Sequence, residues 1–268
     1  MKVIGSTSAW RGNLEDGLGK LKRLGFDEID LIGIEAWKLL SPEALVSDFE
    51  TEKKRVLKCL EASNTRAVTM NVAFTPDLGS REESAGNESR LSQVKATLRF
   101  MEDLGISVAA HYPGYISDWR NDPEGVWKDT TDTIREIQEV ASGGTGTLAP
   151  ELHYKTPFEI PKDARRLLAD VPGLPYTYEP SHFIVQGIDV EDTEDLLSGA
   201  THVHLRGCAK GALQAPPAEC EKELRWVVEK LAERDYKGLI SIEYLPDAEF
   251  DVERAIAETR DLIAGVLA

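Results

Sequence analysis

The sequence has few cysteines, and those few are not arranged as a disulfide framework. Its 268 residues contain three, an odd number, and no two of them form a C-x-x-C pair. They are Cys59, Cys208 and Cys220. The small secreted scaffolds that depend on disulfides are therefore excluded. Because free thiols suit a reducing compartment, we predict a cytoplasmic protein.

The sequence also lacks long hydrophobic runs. No apolar stretch approaches the ~20 residues that a transmembrane helix requires. The first ten residues, MKVIGSTSAW, contain no apolar core of the kind found in signal peptides. We therefore predict neither a membrane span nor a secretion signal.

Basic residues are in the minority. The chain has 31 lysines and arginines against 47 aspartates and glutamates, which gives a formal net charge of −16 at pH 7. A field of this sign repels phosphate backbones and anionic lipid headgroups. Nucleic acid and membrane surfaces are therefore disfavoured as partners.

Short apolar segments alternate with longer amphipathic ones, in eight pairs. The predicted strands are Val3–Ser6, Glu28–Gly33, Ala67–Phe74, Ser107–His111, Leu148–His153, Tyr176–Glu179, His202–Leu205 and Leu239–Tyr244. The predicted helices include Ser41–Ser63, Ser89–Leu104, Pro123–Val140, Pro161–Leu168, Glu219–Arg234 and Val252–Leu267. Strict alternation implies a parallel sheet, and eight repeats imply closure into a (β/α)8 TIM barrel. No linker divides residues 1–268, so we predict a single α/β domain.

Four polar side chains stand near the ends of the last four predicted strands. They are Glu151, Glu179, His204 and Glu243. Each interrupts a segment that otherwise reads as buried, where a charge costs several kcal/mol unless it is paired or bound to a metal. Strand alternation places all four on the more polar, lumen-facing side, at the end where barrel active sites are built. Unrelated ion pairs with Arg206, Lys155 or Lys210 are the alternative, but four groups at matching depth favour one metal site.

The predicted donors are three carboxylates and one imidazole. This oxygen-rich set suits Mn²⁺, Mg²⁺ or Co²⁺ and can also hold Zn²⁺. We therefore predict one divalent metal ion as the cofactor, with Mn²⁺ favoured.

The four positions lie in short motifs that occur in a fixed order. These are ELH at 151–153, EPSHF at 179–183, HVHLRG at 202–207 and IEY at 242–244. Together they resemble the xylose-isomerase-like barrels of the sugar phosphate isomerase/epimerase group. That group includes ketose 3-epimerases, hydroxypyruvate isomerases and inosose dehydratases, with the apurinic endonucleases as more distant relatives. The resemblance covers the whole chain in element order and is most specific from Glu151 to Leu245.

The resemblance implies roles for individual residues. It makes the four polar side chains the metal ligands, His182 a substrate contact, and Lys210 the counterpart of a substrate-binding arginine. It also implies a small carbohydrate substrate and a homodimer. The chain departs from the family pattern at Glu179, where members usually have aspartate, and at PPAECEKE, which replaces a glycine-rich turn.

The implied chemistry is proton transfer next to a carbonyl group. A divalent ion chelated by a carbonyl oxygen and the adjacent hydroxyl makes the neighbouring C–H acidic and stabilises an enediolate. Glu151 and Glu243 are three strands apart around the barrel and could flank a sugar, so we predict them as the catalytic pair. An epimerase returns the proton to the opposite face and an isomerase to the neighbouring carbon. The sequence supports both.

Three alternative functions use the same barrel. A dehydratase or lyase would expel a β-hydroxyl or alkoxide after enolisation, with the same metal and base. An apurinic endonuclease is disfavoured by the acidic charge, by Asn71 in place of a strand-three histidine, and by the lack of a clear Asp-x-His pair after strand seven. A degenerate sugar-binding barrel would purify without stoichiometric metal.

Two further histidines lie near the predicted site. His111, at the end of strand four, has three possible roles: contacting substrate, holding a second metal, or packing in the core. His153 is two residues beyond Glu151 on the same strand face, which predicts substrate contact or structural pairing.

Cationic and aromatic side chains complete the predicted pocket. Arg206 and Lys210, together with Arg11, would bind a phosphorylated or carboxylated sugar at the pocket mouth. Trp10 and Trp37 follow strands one and two, where they would form an apolar wall for a sugar ring or simply pack locally.

Overall fold

Eight parallel strands alternate with helices along the chain. The structure, a computed structural model, describes residues 1–79, 84–116, 119–246 and 248–268. The strands are β1 (Lys2–Ser6), β2 (Glu28–Gly33), β3 (Arg66–Ala73), β4 (Val108–Tyr112), β5 (Thr147–Pro150), β6 (Thr177–Tyr178), β7 (His202–Leu205) and β8 (Leu239–Ile242). The α-helices are α1 (Leu14–Arg23), α2 (Pro42–Ser47), α3 (Phe49–Ser63), α4 (Ser84–Leu104), α5 (Pro123–Ala141), α6 (Pro161–Asp170), α7 (Ser181–Ile184), α8 (Glu194–Ser198), α9 (Glu221–Glu233) and α10 (Val252–Leu267). Within the described ranges, every helix is too short or too polar to cross a bilayer.

The strands close into a barrel. Their order in the sheet is β5, β4, β3, β2, β1, β8, β7, β6, and each strand pair is parallel. Glu151 and Thr177 form an isolated parallel bridge between β5 and β6. Next to it, the Leu152 N–H donates to the Thr177 carbonyl at 3.0 Å. The predicted single-domain (β/α)8 TIM barrel is therefore confirmed.

The segment predicted as one helix over Ser41–Ser63 is two helices, α2 and α3. Asp48 separates them, with an extended φ of −151° that is incompatible with a continuous helix. Its N–H closes α2 on the Ala44 carbonyl, and its carboxylate accepts from the Thr51 N–H at 3.3 Å to cap α3. The single-helix prediction was wrong because an aspartate cap outweighs a helical spacing of apolar residues.

The eight predicted strand–helix pairs imply helix α1 without giving its bounds, and its start carries a standard signal. The Asn13 side chain accepts a hydrogen bond from the Asp16 N–H at 3.1 Å, which satisfies a free donor of the first turn. Leu18 and Leu21, one turn apart, are fully buried against the barrel.

The barrel has an apolar outer layer and a polar lumen. Along β8, Ile240 and Ile242 belong to the hydrophobic core that the helices cover, whereas the fully buried Ser241 alternates with them. Deep in the lumen, Asp30 accepts hydrogen bonds from Ser6 at 2.8 Å and Thr69 at 2.7 Å. Polar side chains on alternate positions therefore line the inside, and this positions the site described next.

Candidate metal centre

The four predicted ligands lie at the carboxyl ends of β5 to β8. Glu151, Glu179 and Glu243 directly follow their strands, and His204 lies within β7. The barrel pairing continues past two of these ends, since the Glu151 N–H donates to the His111 carbonyl at 3.0 Å and the Glu243 N–H to the Leu205 carbonyl at 2.9 Å. All four residues are buried, with at most 4% exposure.

The structure brings these four side chains together. One ligand atom from each lies within 4.8 Å of the other three. The His204 Nδ1 atom is 3.0 Å from Glu151 Oε1 and 3.2 Å from Glu243 Oε2. Adjacent ligands of an ion with bonds of about 2.0–2.2 Å lie about 3 Å apart, so these spacings fit a divalent cation.

Arg206 is the ion-pair partner of Glu179 in the same cluster. Its guanidinium is 2% exposed, with Nη2 3.1 Å from Glu179 Oε2 and 3.7 Å from Glu243 Oε2. Its Nε–H donates to the Ser181 hydroxyl at 3.0 Å. Burial raises the pKa of Glu179 despite the nearby guanidinium. Arg206 is a predicted substrate-binding residue. In the structure it also forms one of the ion pairs that the sequence analysis gave as the alternative to a metal site.

The electrostatic environment of the cluster favours a cation between Glu151 and Glu243. Burial alone raises the pKa of Glu151, but the neighbouring His182 and His204 outweigh it and hold this pKa well below its usual value. Burial is likewise outweighed at Glu243, where the charge of His204 lowers the pKa. Conversely, Glu243 and Glu151 raise the pKa of His204 well above its ordinary value, against the effect of burial. The lowered pKa values favour ionised Glu151 and Glu243, which stabilise positive charge between them.

Asn71 orients Glu243, a role that the sequence analysis did not assign. Its Nδ2 donates to Glu243 Oε1 at 2.6 Å, and both side chains are buried. A signal was available, because Thr69 and Asn71 are polar residues that alternate with apolar ones along β3. Ser181, whose hydroxyl accepts a hydrogen bond from Arg206, was also not assigned a role.

His153 and His182 lie together beside Glu151. Their ring centroids are 3.8 Å apart, and His182 Nε2 is 3.6 Å from Glu151 Oε2. Tyrosines surround the pair: Tyr115 lies 5.6 Å from the His153 ring, and Tyr154 stacks on the His182 ring at 5.6 Å. Both histidines are predicted substrate-binding residues, whereas the tyrosines lie in loops without a periodic pattern and carry no sequence signal.

His111 lies at the end of β4, as predicted, but packs against Phe74 with ring centroids 4.7 Å apart. Burial lowers its pKa to about 3, so it is neutral at physiological pH. Among the described residues it belongs to none of the groups that could hold a metal ion. Its role as a substrate contact stays a prediction.

The remaining predicted pocket residues have local partners. The Trp37 indole donates to the Ser8 carbonyl at 2.7 Å, and the Lys20 ammonium lies 5.5 Å from the Trp10 ring. Lys210 lies against Gly187 and lines a cavity of about 530 Å³ that also contacts Cys208. Substrate binding by Trp10, Trp37 and Lys210 stays a prediction.

Solved structures with the same fold include enzymes of two reaction types. A D-tagatose 3-epimerase-like protein has 19% identity and a TM-score of 0.77 over 100% of this chain and 97% of its own. The probable 3-DHS dehydratase AsbF of Bacillus anthracis has 16% identity and a TM-score of 0.73 over 98% and 99%. The IOLI protein, whose structure has a bound zinc atom, has 16% identity and a TM-score of 0.68 over 100% and 98%. At these identities the likeness shows the fold alone.

The sequence itself matches a family over most of its length. No curated protein matches the chain in a direct comparison. The family described as xylose isomerase-like TIM barrel, however, matches residues 18–264, which include all four candidate ligands and both neighbouring histidines. Together with the barrel geometry, this match shows that the chain belongs to the xylose isomerase-like TIM barrel family.

Proposed function

We propose that this protein is a divalent-metal-dependent carbohydrate epimerase or isomerase that acts on a ketose, ketose phosphate or keto-sugar through an enediolate. The observation that carries the proposal is the convergence of Glu151, Glu179, His204 and Glu243, whose ligand atoms lie within 4.8 Å of one another at the catalytic end of the barrel. Sugar epimerases among the solved structures of the same fold support the reaction class.

The four side chains would hold one metal ion. Three carboxylates and one imidazole form a mainly hard donor set, which favours Mn²⁺ and also accommodates Zn²⁺, Co²⁺ or Mg²⁺. His204 offers Nδ1 towards two of the carboxylates. When bound, the ion would polarise the substrate carbonyl and stabilise negative charge on its oxygen.

Glu151 and Glu243 would move the proton. Neighbouring histidines lower their pKa values against the effect of burial, His182 and His204 at Glu151 and His204 at Glu243, and so favour the ionised forms. The two glutamates approach His204 from β5 and β8, so a substrate between them has one carboxylate on each side. One carboxylate would remove the proton next to the carbonyl, and the other, once it has taken a proton from solvent, would return a proton, from the opposite face in an epimerase.

Other buried side chains would bind and orient the substrate. The Arg206 Nη1 atom has no hydrogen-bond partner among the described residues, so it is available to a substrate hydroxyl or anionic group. His182 lies 3.6 Å from Glu151 and would contact a substrate hydroxyl near the reacting carbon.

The test is deuterium exchange. The metal-loaded protein is incubated in D₂O with a panel of ketoses and keto-glycosides, and NMR follows deuterium entry at the carbon next to the carbonyl. We expect exchange with at least one sugar that stops on chelation and in Glu151→Gln or Glu243→Gln. Absence of exchange across the panel, with metal bound in stoichiometric amount, would contradict the proposal.

A dehydratase of keto-sugars or keto-inositols is the second candidate. The observation in its favour is His182, whose Nε2 atom lies 3.6 Å from Glu151 Oε2 and which could protonate a departing hydroxyl group, with the His153 ring packed against it at 3.8 Å. The probable dehydratase of the same fold is consistent with it. The two reactions differ in product, because a dehydratase yields a conjugated enone with strong ultraviolet absorption and an epimerase does not.

We also propose that the protein is cytoplasmic and that its binding partner is a small carbohydrate. All three cysteines are free, which suits a reducing compartment. The formal charge of −16 opposes binding to nucleic acid or anionic membranes. A homodimer stays a prediction of the family resemblance.

A further inference from the structure

Cys208 and Cys220 form a buried pair of thiols outside the candidate metal centre. Their Sγ atoms lie 3.8 Å apart, and the Cys208 N–H donates to the Cys220 Sγ at 3.1 Å. Both residues are at most 2% exposed. Cys208 lies in the segment after β7 and Cys220 directly precedes α9, so the fold brings the two ends of residues 208–220 together. Since the sulfur atoms of a disulfide are about 2.05 Å apart, an approach of less than about 2 Å would join the two thiols.

Cys220 has the environment of a reactive thiol. It is the N-cap residue of α9, a helix of 13 residues, where the positive end of the helix dipole stabilises a thiolate. Hydrogen bonds from the thiol and the N–H of Cys208 lower the pKa of Cys220 against the effects of burial and of Glu223. The same contact between the thiols, together with burial, raises the pKa of Cys208. Cys220 is therefore suited to be the nucleophile of the pair, whereas Cys208 keeps its proton.

A cavity gives small molecules access to both thiols. Its volume is about 530 Å³, and Cys208 and Cys220 both form part of its lining. Lys222 and Glu191 line the same cavity with side-chain exposures of 81% and 48%, so the cavity opens to solvent. A small hydroperoxide can therefore reach the sulfur atoms, although both residues are buried.

Gly207 fixes the chain on the β7 side of the pair. Its N–H donates to the Tyr244 hydroxyl at 2.8 Å, and its carbonyl accepts from the Ala215 N–H at 2.8 Å. A Cβ atom at this position would lie 2.8 Å from the Cα atom of Pro217, so the backbone segments are tightly packed here. The movement that joins the sulfur atoms is therefore taken up on the α9 side, and β7 stays in place.

We propose that Cys208 and Cys220 are a site of reversible oxidation, at which hydrogen peroxide joins them as a disulfide. The Cys220 thiolate attacks one peroxide oxygen and the O–O bond breaks, which leaves Cys220 as a sulfenic acid and releases hydroxide that takes up a proton. The Cys208 sulfur then attacks the Cys220 sulfur. The S–O bond breaks, and its oxygen leaves as water with the proton of Cys208. Two thiols are oxidised, the peroxide is reduced to two molecules of water, and a dithiol reverses the modification by exchange.

The disulfide closes residues 208–220 into a ring. This ring contains Lys210, which lies against Gly187 and lines the same cavity. Oxidation therefore restricts the loop of a predicted substrate-binding residue, while the four candidate metal ligands lie outside the ring. Neither a metal ion nor a substrate takes part, so this modification is independent of the proposed function.

Thiol counting by mass spectrometry tests the inference on the full chain. The protein is reduced, freed of reductant, treated with a small excess of hydrogen peroxide, and then unfolded in N-ethylmaleimide. We expect label on all three cysteines before oxidation and on Cys59 alone afterwards, together with a proteolytic fragment in which Cys208 and Cys220 are linked. Dithiothreitol should restore all three labels. Cys59→Ser is the matched control, since Cys59 lies in α3 outside the pair, and it should give the same linked fragment.

Two further variants separate the roles of the pair. Cys208→Ser should stop at a Cys220 sulfenic acid, which dimedone traps. In Cys220→Ser, peroxide should oxidise Cys208 at least about tenfold more slowly than it oxidises Cys220 in the wild type, because the activated nucleophile is gone.

Three results would overturn the proposal. These are three labelled cysteines after peroxide treatment of the wild type, oxidation of Cys220 to a sulfinic acid without linkage to Cys208, and linkage of either residue to Cys59. If one of the serine variants does not fold by circular dichroism, the linked fragment in the wild type and in Cys59→Ser still decides the result.

Discussion

Replacing Arg206 with methionine should weaken the metal-free fold and tighten metal binding. The guanidinium is 2% exposed and neutralises Glu179 at 3.1 Å and Glu243 at 3.7 Å. Removing one partner of a buried ion pair leaves uncompensated charge and costs about 3–5 kcal/mol. At about 2–4 °C per kcal/mol, this lowers the Tm of the metal-free protein by roughly 6–20 °C.

The metal should reverse this loss. Without Arg206, a divalent ion becomes the main source of positive charge for Glu179 and Glu243. The ion then no longer competes with a guanidinium for the oxygen atoms of these two residues. We expect the Kd for Mn²⁺ to fall at least tenfold, ~1.4 kcal/mol. Because the ion binds only the folded state, the rise in Tm on adding Mn²⁺ should be larger in Arg206→Met than in the wild type.

Differential scanning fluorimetry with and without Mn²⁺, together with calorimetric titration, measures both effects. Arg166→Met is the matched control, because Arg166 pairs with Glu124 at 2.8 Å at the exposed surface, where ion pairs contribute little. That variant should keep the wild-type Tm and metal response. The reasoning is refuted if Arg206→Met has the wild-type Tm without metal, or if its metal-induced rise in Tm is no larger than that of the wild type.

Three further predictions concern catalysis, protons and partners. Glu243→Gln should retain at least part of the metal binding and lose on the order of 10²–10⁴ in turnover, and unchanged turnover would make Glu243 a structural residue. Metal affinity should rise with pH up to the pKa of His204, which Glu243 and Glu151 raise, because the ion displaces the proton of this histidine. Calorimetry in two buffers should show proton release on metal binding, and binding without proton release would contradict this. The protein should not cleave an abasic-site duplex at physiological salt, and cleavage that Glu151→Gln abolishes would overturn the carbohydrate assignment.

The convergence of the four candidate ligands could be predicted from the sequence because barrel geometry converts position in a strand into position in space. Glu151, Glu179, His204 and Glu243 each lie at the end of a parallel strand, and alternation assigns all of them to the lumen. Neither rule needs a contact to be known. The same two rules place Asn71 on the lumen face, so its hydrogen bond to Glu243 was within reach of the sequence.

Loops and caps were harder to predict. Tyr115 and Tyr154 reach the histidine pair from segments after β4 and β5, where no periodic pattern fixes the direction of a side chain. The break at Asp48 was missed because apolar spacing continues on both sides of it, although Leu57 within that pattern is 36% exposed. Side-chain hydrogen bonds decide such positions, and periodicity does not detect them.

The choice between epimerisation and dehydration depends on which acid lies opposite the departing or returning group. Glu243 is fixed by Asn71 at 2.6 Å and faces His204 from β8, so it is suited to proton transfer at carbon. On the β5 side, Glu151 is accompanied by His182 at 3.6 Å and by the His153 ring. A dehydratase would use His182 to protonate the leaving hydroxyl group, whereas an epimerase needs no acid at that position. His182→Asn should therefore slow dehydration, measured as enone absorption, far more than it slows deuterium exchange next to the carbonyl.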